Sequence, residues 1–262
     1  MILDIMNLVV FSHSDYSFLW PVIEDYIKKI PQLNPVFVCN KNNVNNKPAG
    51  FCKYIEYDDQ LCYAQRWIVD ILPHIESKYI LVIHDVAVIL NCNVNKITNI
   101  VNIIDKHNID RCCMNVFHGI EIIHDNDIYL CNLNNHVKSL IYTPYDVSPA
   151  IWNKSSYLKL WNMFPNETYR NSELNSNLQK YCRTLKCYGL QKTNDKIYYC
   201  LSRPYYELFK VLHITTKGEI TFPIEVYMDT IQEFKEIVGK YNLNNKIKIN
   251  PNYGYVLSCD KL

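Results

Sequence analysis

Glycine is scarce in this sequence, 6 residues in 262, and that scarcity excludes two kinds of phosphate-binding loop. A P-loop needs G-x-x-x-x-G-K-[ST] and a dinucleotide fold needs G-x-G-x-x-G, because only backbone without a Cβ approaches a phosphate so closely. Neither pattern occurs. An excess of one charge is also missing. With 27 basic against 26 acidic residues there is no global attraction to a polyanion, so nucleic acid is not an expected partner. The 11 cysteines include no C-x-x-C pair and no zinc-finger spacing, which points to buried free thiols in a reducing compartment. No G-x-C-x-G elbow supports a cysteine hydrolase. No window reaches the ~20 apolar residues of a membrane helix. The opening MILDIMNLVVF carries Asp4 in its apolar run and no basic lead, so it reads as a first strand and not as a signal peptide.

The chain is rich in Asn, Ile, Lys and Tyr, with 21 Tyr, and its length suits one large α/β domain. Asn clusters at 40–46, 132–135 and 242–245 read as polar loops or turns. Strand and helix patterns alternate through the first half. Leu8–Phe11 is an apolar strand, and Ser14-Asp15 open a helix with Phe18, Leu19, Val22, Ile23, Tyr26 and Ile27 on one face. Pro35–Cys39 and Tyr54–Tyr57 are strands. Asp58-Asp59 cap a helix carrying Leu61, Ala64, Ile68, Ile71 and Leu72, and Tyr79–Ile83 is a strand without polar alternation, as a central parallel strand should be. A helix over Val94–His107 completes a Rossmann-like order. In the second half, Arg111–Phe117, Glu121–Ile123, Ile128–Leu133 and Val137–Tyr142 read as short strands in hairpins. Helices are expected over Ser155–Met163, Ser172–Leu185 and Ile224–Tyr241. With no Pro/Gly/Ser linker, residues 1–110 and 111–262 form two lobes of one domain.

Ligands of open α/β sheets bind at the carboxyl ends of the parallel strands, and the most apolar strand here ends in His84-Asp85. An ionised carboxylate there is costly to desolvate unless it is partnered. Either Asp85 caps a turn or pairs with Arg66 or Arg111, or it holds a divalent ion against a phosphate.

The succession FSHSDYSFLW, FVCNKN, IEYDDQLCYAQRWIVDIL, YILVIHDVAVIL resembles the nucleotide-sugar-binding half of GT-A glycosyltransferases. It is most similar to those inferred in giant DNA viruses, in which a YDDSLPYSxR stretch precedes a LxxHED-type strand end. The likeness covers about residues 7 to 90 well and the remainder loosely. It implies a GT-A fold, a Rossmann-like mixed sheet flanked by helices with a hairpin-containing acceptor lobe. It implies transfer of a sugar from a nucleotide-diphosphate donor such as a UDP-sugar to a hydroxyl of a glycan or glycoprotein, in the host cytoplasm or the virion if the source is viral. On this resemblance Asp85 stands for the metal-gripping carboxylate, with Mn²⁺ or Mg²⁺ as cofactor, although Val86-Ala87 replace the usual second acidic residue. Ser12, His13, Asn40, Tyr63, Arg66 and His84 would contact the donor, with Arg66 at phosphate or ribose. His213, before Lys217-Gly218, would complete the metal site. In YTPYDVSPAIWNKSSYLKLW, Trp152 would be a sugar platform with Ser148 beside it. Glu173, at a helix start that favours its ionised form, would be the general base, and Asp146 the second choice. Two other classes compete. A nuclease using Asp85 and Glu173 around Mg²⁺ lacks the basic face it needs. A catalytically inactive protein of the same fold, binding a glycan or a protein, fits the incomplete acidic motif.

Overall fold

The computed structural model describes residues 5–41, 47–85, 87–117, 121–125, 127–134, 145–191, 209–213, 215–216, 219–220 and 231–243. The strands β1 (Met6–Phe11), β2 (Val36–Asn40), β3 (Lys53–Tyr57) and β4 (Tyr79–His84) are parallel and lie in the order β3-β2-β1-β4. The chain therefore builds outward from β1 on one side, then returns to place β4 on the other. The reversal leaves a crevice beyond the carboxyl ends of β1 and β4.

Between these strands run α1 (Trp20–Ile27), entered through the 3₁₀ turn Ser14–Leu19, and α2 (Tyr63–Gln65), which continues as a π-helical stretch over Arg66–Ile71. After β4 the chain forms β5 (Ala87–Cys92), which leaves the main sheet to pair with β11 (Phe209–His213), then α3 (Val94–His107). The main sheet continues through β6 (Arg111–Val116), the hairpin of β7 (Ile122–Asp125) and β8 (Ile128–Asn132), the short β9 (Ala150–Asn153) and β10 (Cys187–Gln191). Its full order is β3-β2-β1-β4-β9-β6-β10-β8-β7, nine strands of mixed direction shared by both halves of the chain. The helices α4 (Lys154–Met163), α5 (Tyr169–Ser172), α6 (Ser176–Cys182) and α7 (Ile231–Lys240) complete the described elements that bear on the site.

Strand alternation divides the interior between the two sheet faces. Leu8 and Val10 join Leu81, Ile83 and the apolar faces of α1, α3 and α7, while Val9 and Phe11 face Tyr63, Trp67, Tyr157 and Trp161. All of β4 is buried, and each large apolar side chain so covered contributes about 1.5–3 kcal/mol relative to exposure. The described cysteines are free thiols, six of them buried, and burial pushes Cys187 up to about 12. Asparagine and aspartate take left-handed positions in this glycine-poor chain: Asn34, Asn108, Asp127 and Asn242 have φ of 46°, 50°, 62° and 52°.

Three expectations change. Ser172–Leu185 is two helices, because the Asn175 side chain accepts from the Asn177 and Leu178 amides and starts a new one. The helix after β3 is capped at Cys62, not at the aspartates; Asp58 instead accepts from the Gln60 amide at 2.9 Å. The stretch expected to line the acceptor side supplies β9, which pairs antiparallel with both β4 and β6. The strand expected at Val137–Tyr142 lies outside the described residues, as does the start of the last helix, of which Ile231–Lys240 is described.

Gly189 in β10 has no room for a side chain, since a Cβ there would stand 2.2 Å from Phe117 Cδ2. Gly189→Ala should cost about 1–3 kcal/mol, read as a lower urea midpoint at unchanged slope.

Candidate functional site

A cavity of about 350 Å³ opens beyond the carboxyl ends of β1, β3 and β4, at the reversal of strand order. Its wall comprises Phe11, Ser12, His13 and Tyr16 from the β1 exit, Tyr57 from β3, Cys62, Tyr63 and Arg66 from α2, His84 and Asp85 from β4, and Thr168 and Tyr169 from the start of α5. The floor is aromatic. Phe11 stacks on Tyr57 at 5.0 Å and 9°, and Tyr63 meets Phe11 and Trp161 edge to face. His84 Nε2 lies 3.0 Å from the Tyr63 hydroxyl.

Asp85 is 5% exposed. Its Oδ2 accepts from the Ser12 hydroxyl at 2.8 Å and the His13 amide at 3.0 Å, and its own amide donates to the Phe11 carbonyl at 2.9 Å. Ser12 in turn accepts from Trp20 Nε1 at 2.9 Å, and its carbonyl accepts from the Tyr57 hydroxyl at 2.8 Å. The carboxylate thus closes the exits of β1 and β4 against each other. The expected arginine partners lie elsewhere. Arg111, fully buried, pairs with Asp146 at 2.5 Å and covers the Trp152 ring at 5.4 Å.

Arg66 spans the Tyr57 ring at 4.6 Å, donates through Nε to the Leu61 carbonyl at 2.8 Å, and pairs with Asp59 at 3.3 Å. Asp59 also accepts from Asn40 Nδ2 at 2.7 Å and stands 3.3 Å from His13 Nε2. Asn40 accepts from the Ser14 amide at 2.8 Å, so it braces the loop behind the cavity and does not line it. His13 Nδ1 accepts from the Asp15 amide at 3.1 Å, which leaves Nε2 to carry the proton toward Asp59.

The opposite wall is placed by the turn after α4. The Ala64 amide donates to the Glu167 carbonyl at 3.1 Å and Cys62 Sγ to the Pro165 carbonyl at 3.0 Å, fixing this turn against α2. Tyr169 is thereby set on the rings of His84 and Tyr63, at 5.0 and 5.3 Å. Burial raises the Tyr16 pKa, and the Asp85 and Asp15 charges raise it further, so its hydroxyl stays a donor.

Ser12, His13, Tyr63, Arg66, His84 and Asp85 meet at one cavity, and Asn40 stands just behind it. The acceptor-side expectations are corrected. Trp152 is 2% exposed in β9 between Tyr145 and Tyr157 and offers no platform to a sugar. Ser148 lies near the Arg111 pair, its amide donating to Asp146 at 3.2 Å. Glu173 is not at a helix start but caps the C-terminus of α5. It accepts from the Val147 amide at 2.8 Å, and burial raises its pKa. The side chain of His213 lies outside the description. Tyr16, Tyr57, Cys62, Thr168 and Tyr169 were not anticipated. Tyr57 ends a parallel strand and was open to the same rule that found Asp85, whereas Tyr169 arrives by a tertiary contact that no local pattern encodes.

A divalent ion needs several oxygen ligands. Among the described residues no group of three His, Cys, Asp or Glu side chains converges, and Asp85 is the one carboxylate among the described residues of the cavity wall. With Oδ2 engaged by two donors, this set does not fit an ion held by protein ligands alone.

No family model matches the sequence, and no curated protein sequence matches it. Solved structures do align. HddC from Yersinia pseudotuberculosis matches at 12% identity and TM-score 0.49, over 87% of this chain and 99% of its own. S. aureus TarS 1-349 matches at 10% identity and TM-score 0.45, over 95% and 67%. The same TarS fragment in complex with UDP-GlcNAc gives 11% and 0.39, over 95% and 68%. These scores lie below 0.5, and the chemistry of the site is taken from its own residues. No helix among the described residues is long and apolar enough to cross a membrane.

Asp85→Ala leaves the Ser12 and His13 donors unmatched and should cost about 2–3 kcal/mol in urea unfolding, while Asp85→Asn, which keeps an acceptor, costs less. Glu173 titrates the other way. Its folded pKa lies above the ordinary 4.5, so its contribution is fullest below pH 4.5 and is lost as pH rises through the folded value. Glu173→Gln should therefore melt above the parent at pH 7, with the gap closing below pH 4.5.

Proposed function

We propose that this protein is a GT-A-type glycosyltransferase, of the kind its sequence resembles in giant DNA viruses, moving a sugar from a nucleotide-diphosphate donor to a hydroxyl acceptor. One observation carries the reading: an aromatic-floored cavity beyond β1 and β4, at the point where strand order reverses, with Arg66 on its wall. The mainly apolar lining with a few polar groups is what a small-ligand pocket needs, and the guanidinium suits a diphosphate. Catalysis here rests on offsetting the charge that develops on the leaving diphosphate, which fixed donors such as Arg66 and the Tyr16 hydroxyl supply without reorganising. Mn²⁺ or Mg²⁺ has a place in this reading only as a counter-ion brought by the diphosphate, with Asp85 its one protein ligand among the described residues, and no step depends on it. Glu173 is the better placed of the two carboxylates for the general base, since Asp146 is committed to Arg111 and Glu173 ends the short helix that begins at the cavity residue Tyr169.

That same commitment favours a second reading, a binding module that holds nucleotide or glycan without turnover. Titration calorimetry of UDP-glucose and GDP-mannose, followed by NMR detection of sugar release or transfer, separates the two. The transferase reading expects micromolar binding of one donor, product formation, and about tenfold weaker binding in Arg66→Ala. Binding without any product supports the module, and no donor binding removes the transferase reading.

A further inference from the structure

The helices α4, α5 and α6 cover one face of the main sheet, and their outward side carries charge of one sign. α4 turns Tyr157, Leu160 and Trp161 to the sheet, and α6 turns Leu178 and Cys182. Helical spacing therefore directs Lys159 and Lys180 away from it, and both are exposed, as are Arg170 and Arg183. The rings of Phe164 and Tyr181, 6.1 Å apart, join the end of α4 to α6, so these outward sides adjoin. From residue 150 to residue 186 the chain has two carboxylates. Glu167 is buried and accepts from Asn175, and Glu173 is half-buried and accepts from the Val147 amide at 2.8 Å. The exposed charges of this layer are thus all positive, in a chain whose net charge is +1.

Apolar side chains stand out of the same layer. Leu174 is 82% exposed and Met163 52%. Leu174 sits in a bonded turn: its amide donates to the Asn171 carbonyl at 2.9 Å, the Asn175 amide to the same carbonyl at 2.8 Å, and the Gln179 side chain to the Glu173 carbonyl at 2.8 Å. A leucine held in water at a fixed place gains only when something covers it. Cations beside protruding aliphatic side chains match the interface of an anionic bilayer, which attracts the charges and takes the apolar tips at its acyl boundary. Leucine is under-represented among the anchors of protein interfaces, which favours lipid over a protein. We propose that the outward side of α4, α5 and α6 docks on membranes that contain anionic phospholipid. α5 also carries Tyr169 of the cavity wall, so docking brings that wall close to the bilayer. The proposal stands on this surface and does not depend on the transferase reading.

The test is co-sedimentation of the full chain with vesicles of phosphatidylcholine alone and with phosphatidylserine added, in low and high salt. The proteins are the parent, Lys180→Glu/Arg183→Glu, Leu174→Ser, and Lys29→Glu/Lys96→Glu, a charge-matched control just after α1 and in α3, which pack on the opposite sheet face. None of the altered residues is buried, so the variants should keep the parent melting temperature. The expected result is parent binding only to vesicles with phosphatidylserine, weakened by salt. Lys180→Glu/Arg183→Glu should bind at least about tenfold more weakly, Leu174→Ser about threefold more weakly, and the control within about twofold of the parent. If the parent binds no vesicle or ignores the serine headgroup, or if either surface variant binds like the parent, the inference fails. Retention on polyglutamate by a parent that binds no vesicle assigns the surface to an acidic protein and overturns it as well.

Discussion

The site depends on one buried carboxylate that holds two strand ends together. Without Asp85 the His13 amide has no acceptor and the Ser12 hydroxyl only the distant His13 carbonyl at 3.5 Å, at the place where the sheet stops supplying one. With it, Ser12 is fixed well enough to receive Trp20, and its carbonyl to receive Tyr57. A single charge therefore orients the first loop, the base of α1 and the end of β3. The carboxylate in an apolar segment is structural in this respect, and it also lines the cavity.

Around that tether the aromatic residues act as a rigid floor. Phe11, Tyr57, Tyr63 and Trp67 interlock by stacking and edge contacts, and Trp161 and Tyr157 extend the cluster to α4. Side chains so packed leave few alternative rotamers, which is why the turn after α4 can set Tyr169 at a defined place on a helix of only four residues. The π-helical stretch after α2 belongs to the same device, since such irregularities often occur where side chains must be re-aimed.

Much of the first half was legible because β1, β2 and β4 are buried almost throughout and read as apolar runs, Tyr79–His84 the clearest, while the edge strand β3 shows the alternation of a half-exposed strand. The α3 helix was legible to the residue because Asn93 caps its start and Asn108 ends it in a left-handed turn. What failed was tertiary. β9 is four residues long, too short to show a period, so Trp152 looked like a loop aromatic when pairing on both sides buries it. Glu173 looked like a helix start because Ser172 precedes it, yet Asn175 is the stronger cap and took the helix with it. The strand-end wall of the cavity was legible because it lies where parallel strands stop; the opposite wall was not, because Glu167 and Tyr169 are brought to α2 only by the returning chain.

The electrostatics of the cavity follow from where each charge is committed. Asp59 is shared among Arg66, Asn40 and His13 at its edge, and ion pairs so exposed are worth about 0–1 kcal/mol. On the transferase reading a diphosphate would offer Arg66 a stronger partner than Asp59. Asp59 holds Arg66 extended over the Tyr57 ring, and the same carboxylate also meets Asn40 and His13. Arg111 and Asp146 cannot trade partners in this way, because breaking a pair whose cation is fully buried leaves a charge stranded in the core. Of these two arginines, the buried one is committed to Asp146 and the one on the cavity wall to an exposed, weaker pair with Asp59.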